Sequence, residues 1–176
     1  MERMGLLFDN QKEVIERQLL KFESGITGWM YGYRIHPIKK NPDGTPLRQL
    51  HNGVDLPNPT GYPIKAPFDG KVTKCWNDDK NGGGFCLVLE HENAMYAFTG
   101  YAHLSGYAAS ITIGMVGNQF KQGDIIAYVG NTGVGTGPHL HFTARTAING
   151  ILTTVDSLPQ LCAACGVVEL PIHQVG

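Results

Sequence analysis

Two short stretches of the chain carry side chains able to share a metal ion. In His139-Leu140-His141 the histidines stand two residues apart. On an extended strand, positions i and i+2 point to one face. Both imidazoles then project together, and Leu140 turns to the opposite side. Such a pair is also ordinary polar cover on a solvent-facing strand. The stretch His51-Asn52-Gly53-Val54-Asp55 adds to it. If extended, His51, Gly53 and Asp55 share a face, and Gly53 leaves space between the two polar side chains. Two imidazole nitrogens and one carboxylate oxygen suit zinc, and three protein ligands leave a fourth position for water, the mark of a catalytic site. Magnesium and calcium prefer an oxygen-rich shell, whereas copper and nickel also accept imidazole, so geometry must decide among the latter. A third stretch, Tyr101-Ala102-His103-Leu104, ends an aromatic strand. His103 reads either as a histidine satisfying a backbone carbonyl or as a base or hydrogen-bond donor beside the site.

The elements that must position these residues are mostly strands. Gly accounts for 23 of 176 residues, roughly twice the average share, scattered as tight turns require. Apolar and β-branched runs predict strands over 26–33, 51–56, 63–66, 70–76, 85–90, 95–104, 125–129 and 139–145, with loops at 41–46, 77–84 and 106–119. Residues 10–22 read as a helix, with Asn10 as its cap, Glu13 at the capping-box spacing, and Val14, Ile15, Leu19 and Phe22 as its apolar face. The fold class is therefore mainly β: a compact antiparallel β-sheet or sandwich core with a short N-terminal helix. The expected organisation is a helical segment at 1–25, a main domain at 26–150, and a C-terminal extension at 151–176 packed on it.

Composition narrows the functional classes. The net charge is −1 with neutral histidines, so the basic balance of a nucleic-acid binder is absent. No run of about 18 apolar residues suggests a membrane span, and residues 1–8 lack a signal-peptide pattern. Four cysteines are present. Cys75 and Cys86 flank a turn and could pair across a hairpin or stay as buried thiols; Cys162 and Cys165 form a single CxxC, half of a zinc site without a second half nearby.

Five pieces in order carry a resemblance: Gly32-Tyr33-Arg34-Ile35-His36-Pro37-Ile38, His51-x-x-x-Asp55, Ala66-Pro67-x-Asp69-Gly70-x-Val72, Tyr101-Ala102-His103-Leu104 and Gly137-Pro138-His139-Leu140-His141-Phe142. Together they resemble the lysostaphin/LytM-type peptidoglycan endopeptidases, the M23 metallopeptidases, over residues 28–145. The resemblance implies zinc held by His51, Asp55 and His141, with His139 and His103 as catalytic residues. Arg34 and His36 would lie on the substrate side, and a groove would cross one face of the sheet. It implies hydrolysis of stem peptides or cross-bridges of bacterial peptidoglycan, outside the cell at the wall. Without a signal peptide, delivery would come from a larger protein, a virion or a cell-envelope assembly. The rival readings are a wall-binding module without activity, a structural component of a phage tail or secretion apparatus, and a zinc enzyme for another amide or ester. Two stretches depart from the family pattern by their length, 39–50 and 106–119, and both are expected to reshape the groove.

Overall fold

A computed structural model describes residues 1–168. Helix α1 (Gln11–Glu23) is followed by β1 (Gly32–Lys40), β2 (Pro46–His51), β3 (Val54–Pro57), β4 (Pro63–Lys65), β5 (Gly70–Asp78) and β6 (Gly84–Glu90). Then come β7 (Phe98–Leu104), β8 (Gly106–Tyr107), β9 (Gln119–Phe120), β10 (Ile125–Tyr128), β11 (His139–Ile148), β12 (Ile151–Val155) and helix α2 (Leu158–Ala164).

The main sheet runs β12-β11-β7-β6-β5-β9, with β3 also paired to β11; β4-β10-β8 and β1-β2 form two smaller sheets, and every pairing is antiparallel. This agrees with the mainly β expectation. Strand β11 is the hub. Its first half pairs with β3 and its second half with β12 along one edge, while β7 takes the other edge. Its side chains alternate as the sequence requires: Leu140, Phe142 and Ala144 are buried in the core, and His139, His141, Thr143 and Arg145 face outward.

The core gathers Leu56, Ile64, Phe68, Leu87, Leu89, Tyr101, Leu104, Ile126, Leu140 and Phe142. Both terminal segments reach it. Leu7, Phe8, Val14, Ile15 and Leu19 enter from the N-terminal side, and Leu158, Leu161 and Cys162 from α2. Gln11 ties the two together: its Oε1 accepts from Leu7 N at 2.7 Å and its Nε2 donates to Leu161 O at 2.9 Å. The helix α2 had no periodicity to announce it; Ser157 and a proline in its first turn start it. The part of the C-terminal extension beyond 168 lies outside the described residues.

Several local expectations are corrected. Residues 26–31 are not a strand, because their apolar side chains are used singly rather than alternately. Trp29 packs into the core, its indole N–H bonded to the Ile26 carbonyl at 3.0 Å. Asn10 makes no cap bond to α1; its amide instead exchanges hydrogen bonds with Asn58 at 3.0 Å. Cys75 sits opposite Leu87 and Cys86 opposite Trp76, so the two thiols are one register apart and project to opposite faces. Both are free.

Candidate active site

His51 closes β2, Asp55 lies on β3, and His141 lies on β11 directly opposite Asp55 in the β3–β11 ladder. Three atoms converge there. His51 Nε2 is 3.1 Å from Asp55 Oδ1 and 3.1 Å from His141 Nδ1, and His141 Nδ1 is 2.8 Å from Asp55 Oδ1. Among the described residues, this trio forms the group able to hold a metal ion. A zinc ion with bonds of about 2.0–2.1 Å sets tetrahedral edges of roughly 3.3 Å. The observed triangle is slightly tighter and needs only a small outward rotation of the rings.

The remaining ring nitrogens decide the tautomers. His51 Nδ1 lies 2.6 Å from the Met30 carbonyl, and His141 Nε2 lies 3.0 Å from Asn52 Oδ1. Each is placed to donate its N–H outward, which leaves the lone pairs of His51 Nε2 and His141 Nδ1 directed inward. Two such lone pairs and a carboxylate oxygen at this spacing repel one another unless a cation lies between them, so the donor set fits zinc. Burial pushes the Asp55 carboxyl up, but its contacts with the His141 and His51 rings outweigh burial and hold it well below the usual carboxylate range. Burial also lowers His141, against the pull of Asp55.

Gly53 does not provide the space for the ion. A Cβ there would stand 2.4 Å from the Phe142 carbonyl oxygen and 2.9 Å from atoms of the His141 ring. The chain bends at Asn52-Gly53 instead of running extended, and the missing side chain lets β11 close against it. Gly53→Ala is expected to weaken zinc binding by about 10- to 100-fold, as displaced ligand supports do, and to cost about 1–3 kcal/mol of stability by overpacking. A zinc titration against a chelating dye and a urea midpoint check both; unchanged affinity would refute this role.

His139 and His103 complete the cluster. The His139 Nε2 lies 3.7 Å from Asp55 Oδ1, and its Nδ1 lies 2.7 Å from the Gly137 carbonyl. The His103 ring centroid is 4.7 Å from that of His139, and its Nδ1 lies 2.9 Å from the Thr132 carbonyl. Each ring thus has its Nδ1–H engaged and its Nε2 available. Burial pushes His103 down to about 4, with the Thr132 carbonyl opposing and the neighbouring histidines adding to the fall. His103 takes φ +61, in the left-handed region. The β6–β7 register shifts here, setting Ala102 and His103 against Cys86 alone. This bulge turns the His103 side chain into the cluster. Strand alternation by itself gave no sign of it.

Arg34 and His36 stand on β1. The Arg34 guanidinium lies 3.6 Å from Asp55 Oδ2 and donates to the Gly28 carbonyl, so it braces the carboxylate from behind. His36 is half-buried between the exposed Ile35 and Pro37; its Nδ1 accepts the backbone N–H groups of Ile38 and Lys39 at 3.0 and 2.7 Å. Both residues line a groove of about 330 Å³ that contains the cluster. The β1–β2 hairpin forms one wall with Ile38, Lys39 and Leu50, and residues 81–83 with 134–136 form others. Lys39 Nζ donates to the Asn81 carbonyl at 3.0 Å, linking two walls. The expected groove is therefore present, and 39–50 shapes it as a hairpin. Residues 106–119 do not line it. Their start pairs with β10, with Ala108 N bonded to Ile126 O at 2.9 Å, and their end lies along β5, held by Gly114 N to Cys75 O at 2.9 Å and Gly117 N to Val72 O at 2.7 Å. Sequence gave no signal for the supporting carbonyls of Met30 and Thr132, which are backbone groups of loops, nor for Arg34 as a brace.

A groove on an antiparallel sheet, with two imidazoles and a carboxylate converging beside two further imidazoles, defines a metallohydrolase site. Residues 49–153 match the family model described as peptidase family M23. The chain belongs to that family, whose members are zinc-dependent metallopeptidases. It is 39% identical over 120 residues to the DD-carboxypeptidase/endopeptidase Mpg of Neisseria meningitidis serogroup B, covering 68% of this chain and 24% of that protein. It is 32% identical over 134 residues to lysostaphin of Staphylococcus simulans, covering 76% of this chain and 24% of the relative. The chain thus spans about a quarter of the length of these curated relatives. Among solved structures, the catalytic domain of that lysostaphin superposes with a TM-score of 0.56 at 32% identity, covering 76% of this chain and 90% of that one. The structure of LytU gives a TM-score of 0.55 at 35% identity, over 74% and 79% of the two chains.

Proposed function

We propose that the protein is a zinc-dependent endopeptidase that hydrolyses peptide bonds in the stem peptides or cross-bridges of bacterial peptidoglycan, acting at the wall outside the cell. The single observation that carries this reading is the convergence of His51 Nε2, His141 Nδ1 and Asp55 Oδ1 within 3.1 Å, inside a groove open to a peptide. The similarity to Mpg, named a DD-carboxypeptidase/endopeptidase, and to lysostaphin, named an antimicrobial peptidase, supports this reading.

His51, Asp55 and His141 would hold the ion, with Arg34 fixing the far oxygen of Asp55. Bound zinc supplies a Lewis acid that makes water nucleophilic near neutral pH. His139 is the better placed to take the proton of the attacking water, since its Nε2 borders the ligand set. His103, set behind it, hydrogen-bonds the reacting groups and helps return the proton to the leaving amine. The carbonyls of Gly137 and Thr132 keep the two rings oriented. A module that only binds wall would need neither the inward lone pairs nor these two imidazoles.

The test is digestion of purified walls with differing cross-bridges, with mass spectrometry of the released fragments. New peptide termini on intact glycan, lost with a chelator and regained with zinc, are expected. Cleaved glycan, or release indifferent to chelator, would overturn the proposal.

A further inference from the structure

Arg145 lines the same groove as the histidine–aspartate cluster, farther along β11. It sits on the outward face of β11, two pleats beyond His141, and lines the same groove as Thr143, Gly100 and Val88. Four residues along a strand put it about 13 Å from His141. The floor between them is low. Gly100 pairs with Thr143 and Ala102 with His141 across the β7–β11 ladder. A Cβ on Gly100 would stand 2.4 Å from Thr143 Oγ1, so the threonine already folds over that position. An extended peptide laid along β11 therefore passes from the cluster to Arg145 without an obstacle from the sheet.

The other cations in the groove are engaged. Arg34 is held by Asp55 and the Gly28 carbonyl, and Lys39 by the Asn81 carbonyl. The Glu90 carboxylate, one strand beyond Phe98 in the row that Arg145 begins, is paired with Lys71 at 3.1 Å. Among the described residues, no side-chain hydrogen bond or ion pair engages the Arg145 guanidinium. Its planar fork of donors suits a carboxylate bidentately.

We infer that Arg145 is a subsite for a free carboxylate on the wall peptide, three to four residues from the bond cut, at about 3.3–3.6 Å per extended residue. This rests on the proposed endopeptidase function and adds a substrate requirement to it: peptides carrying that charge are preferred over their amidated forms. The carboxylate is either a chain end or a side chain, since both offer the same pair of oxygens.

The test uses the zinc-loaded protein and a set of wall peptides alike except at that position. One carries both carboxylates, one is amidated at the chain end, and one is amidated at the side chain. The wild type is expected to cleave the doubly charged peptide with kcat/KM roughly tenfold above one of the amidated forms, through KM, with the ratio falling as salt is raised. The form that loses rate identifies the source. In Arg145→Gln the ratio should fall to near one at unchanged zinc content, and Arg145→Lys should restore part of it. Equal cleavage of all three peptides by the wild type, or a wild-type ratio in Arg145→Gln, overturns the inference while leaving the endopeptidase reading intact. Failure to cleave any of the three overturns both.

Discussion

Replacing His141 with Ala is expected to remove zinc and hydrolysis together. Its Nδ1 is one of three converging donors, at 2.8 Å from Asp55 Oδ1. The loss leaves one imidazole and one carboxylate, too few for a stable catalytic zinc site. Activity should fall by on the order of 10⁴ or more, because water without the ion returns from a pKa of about 7 toward 15.7. His141 faces the groove and not the core, so the fold should survive; Phe142 beside it is the buried anchor. Elemental analysis of the purified variant, together with fragment release from walls, tests both parts. Retained zinc, or lysis at the wild-type level, would refute the ligand assignment.

His139→Ala should behave differently although it stands only two residues away. Its Nε2 lies 3.7 Å from Asp55 Oδ1, outside the tight triangle, and its ring leans on His103. Zinc content should stay near that of the wild type, while the rate falls by about 10²- to 10⁴-fold, the usual loss when a positioned acid–base group is removed. His103→Ala should fall in the same range. The double variant should lose much less than the product of the two, since groups that act as a unit are not additive. Loss of zinc from His139→Ala would make it a ligand and sink the division of labour.

Much of this arrangement was legible in the chain. The alternation of β11 follows from His139-Leu140-His141-Phe142, where apolar and polar residues exchange every position. The trio of His51, Asp55 and His141 could be drawn from residue types and spacing together with the family resemblance, and the structure brings the three together. What could not be read depends on contacts between distant segments. Gly53 looked like a space for the ion because its tertiary neighbour, the Phe142 carbonyl, is 89 residues on. The bulge at His103 depends on how β7 registers against β6. The stretch 106–119 reads as a reshaper of the groove because it is long and irregular, but its backbone hydrogen bonds go to β10 and β5 instead. Arg34 was placed near the substrate by its motif, yet its position behind Asp55 needed the fold of the loop around Gly28.

The contact between Lys39 and Asn81 has a consequence for how a polymer reaches the chemistry. It ties the β1–β2 hairpin to the turn before β6, so these two flanks of the groove shift together. A single solvent-exposed hydrogen bond holds them, worth about 0.5–1.5 kcal/mol, so thermal motion frees the hairpin to make room for a bulky, branched polymer.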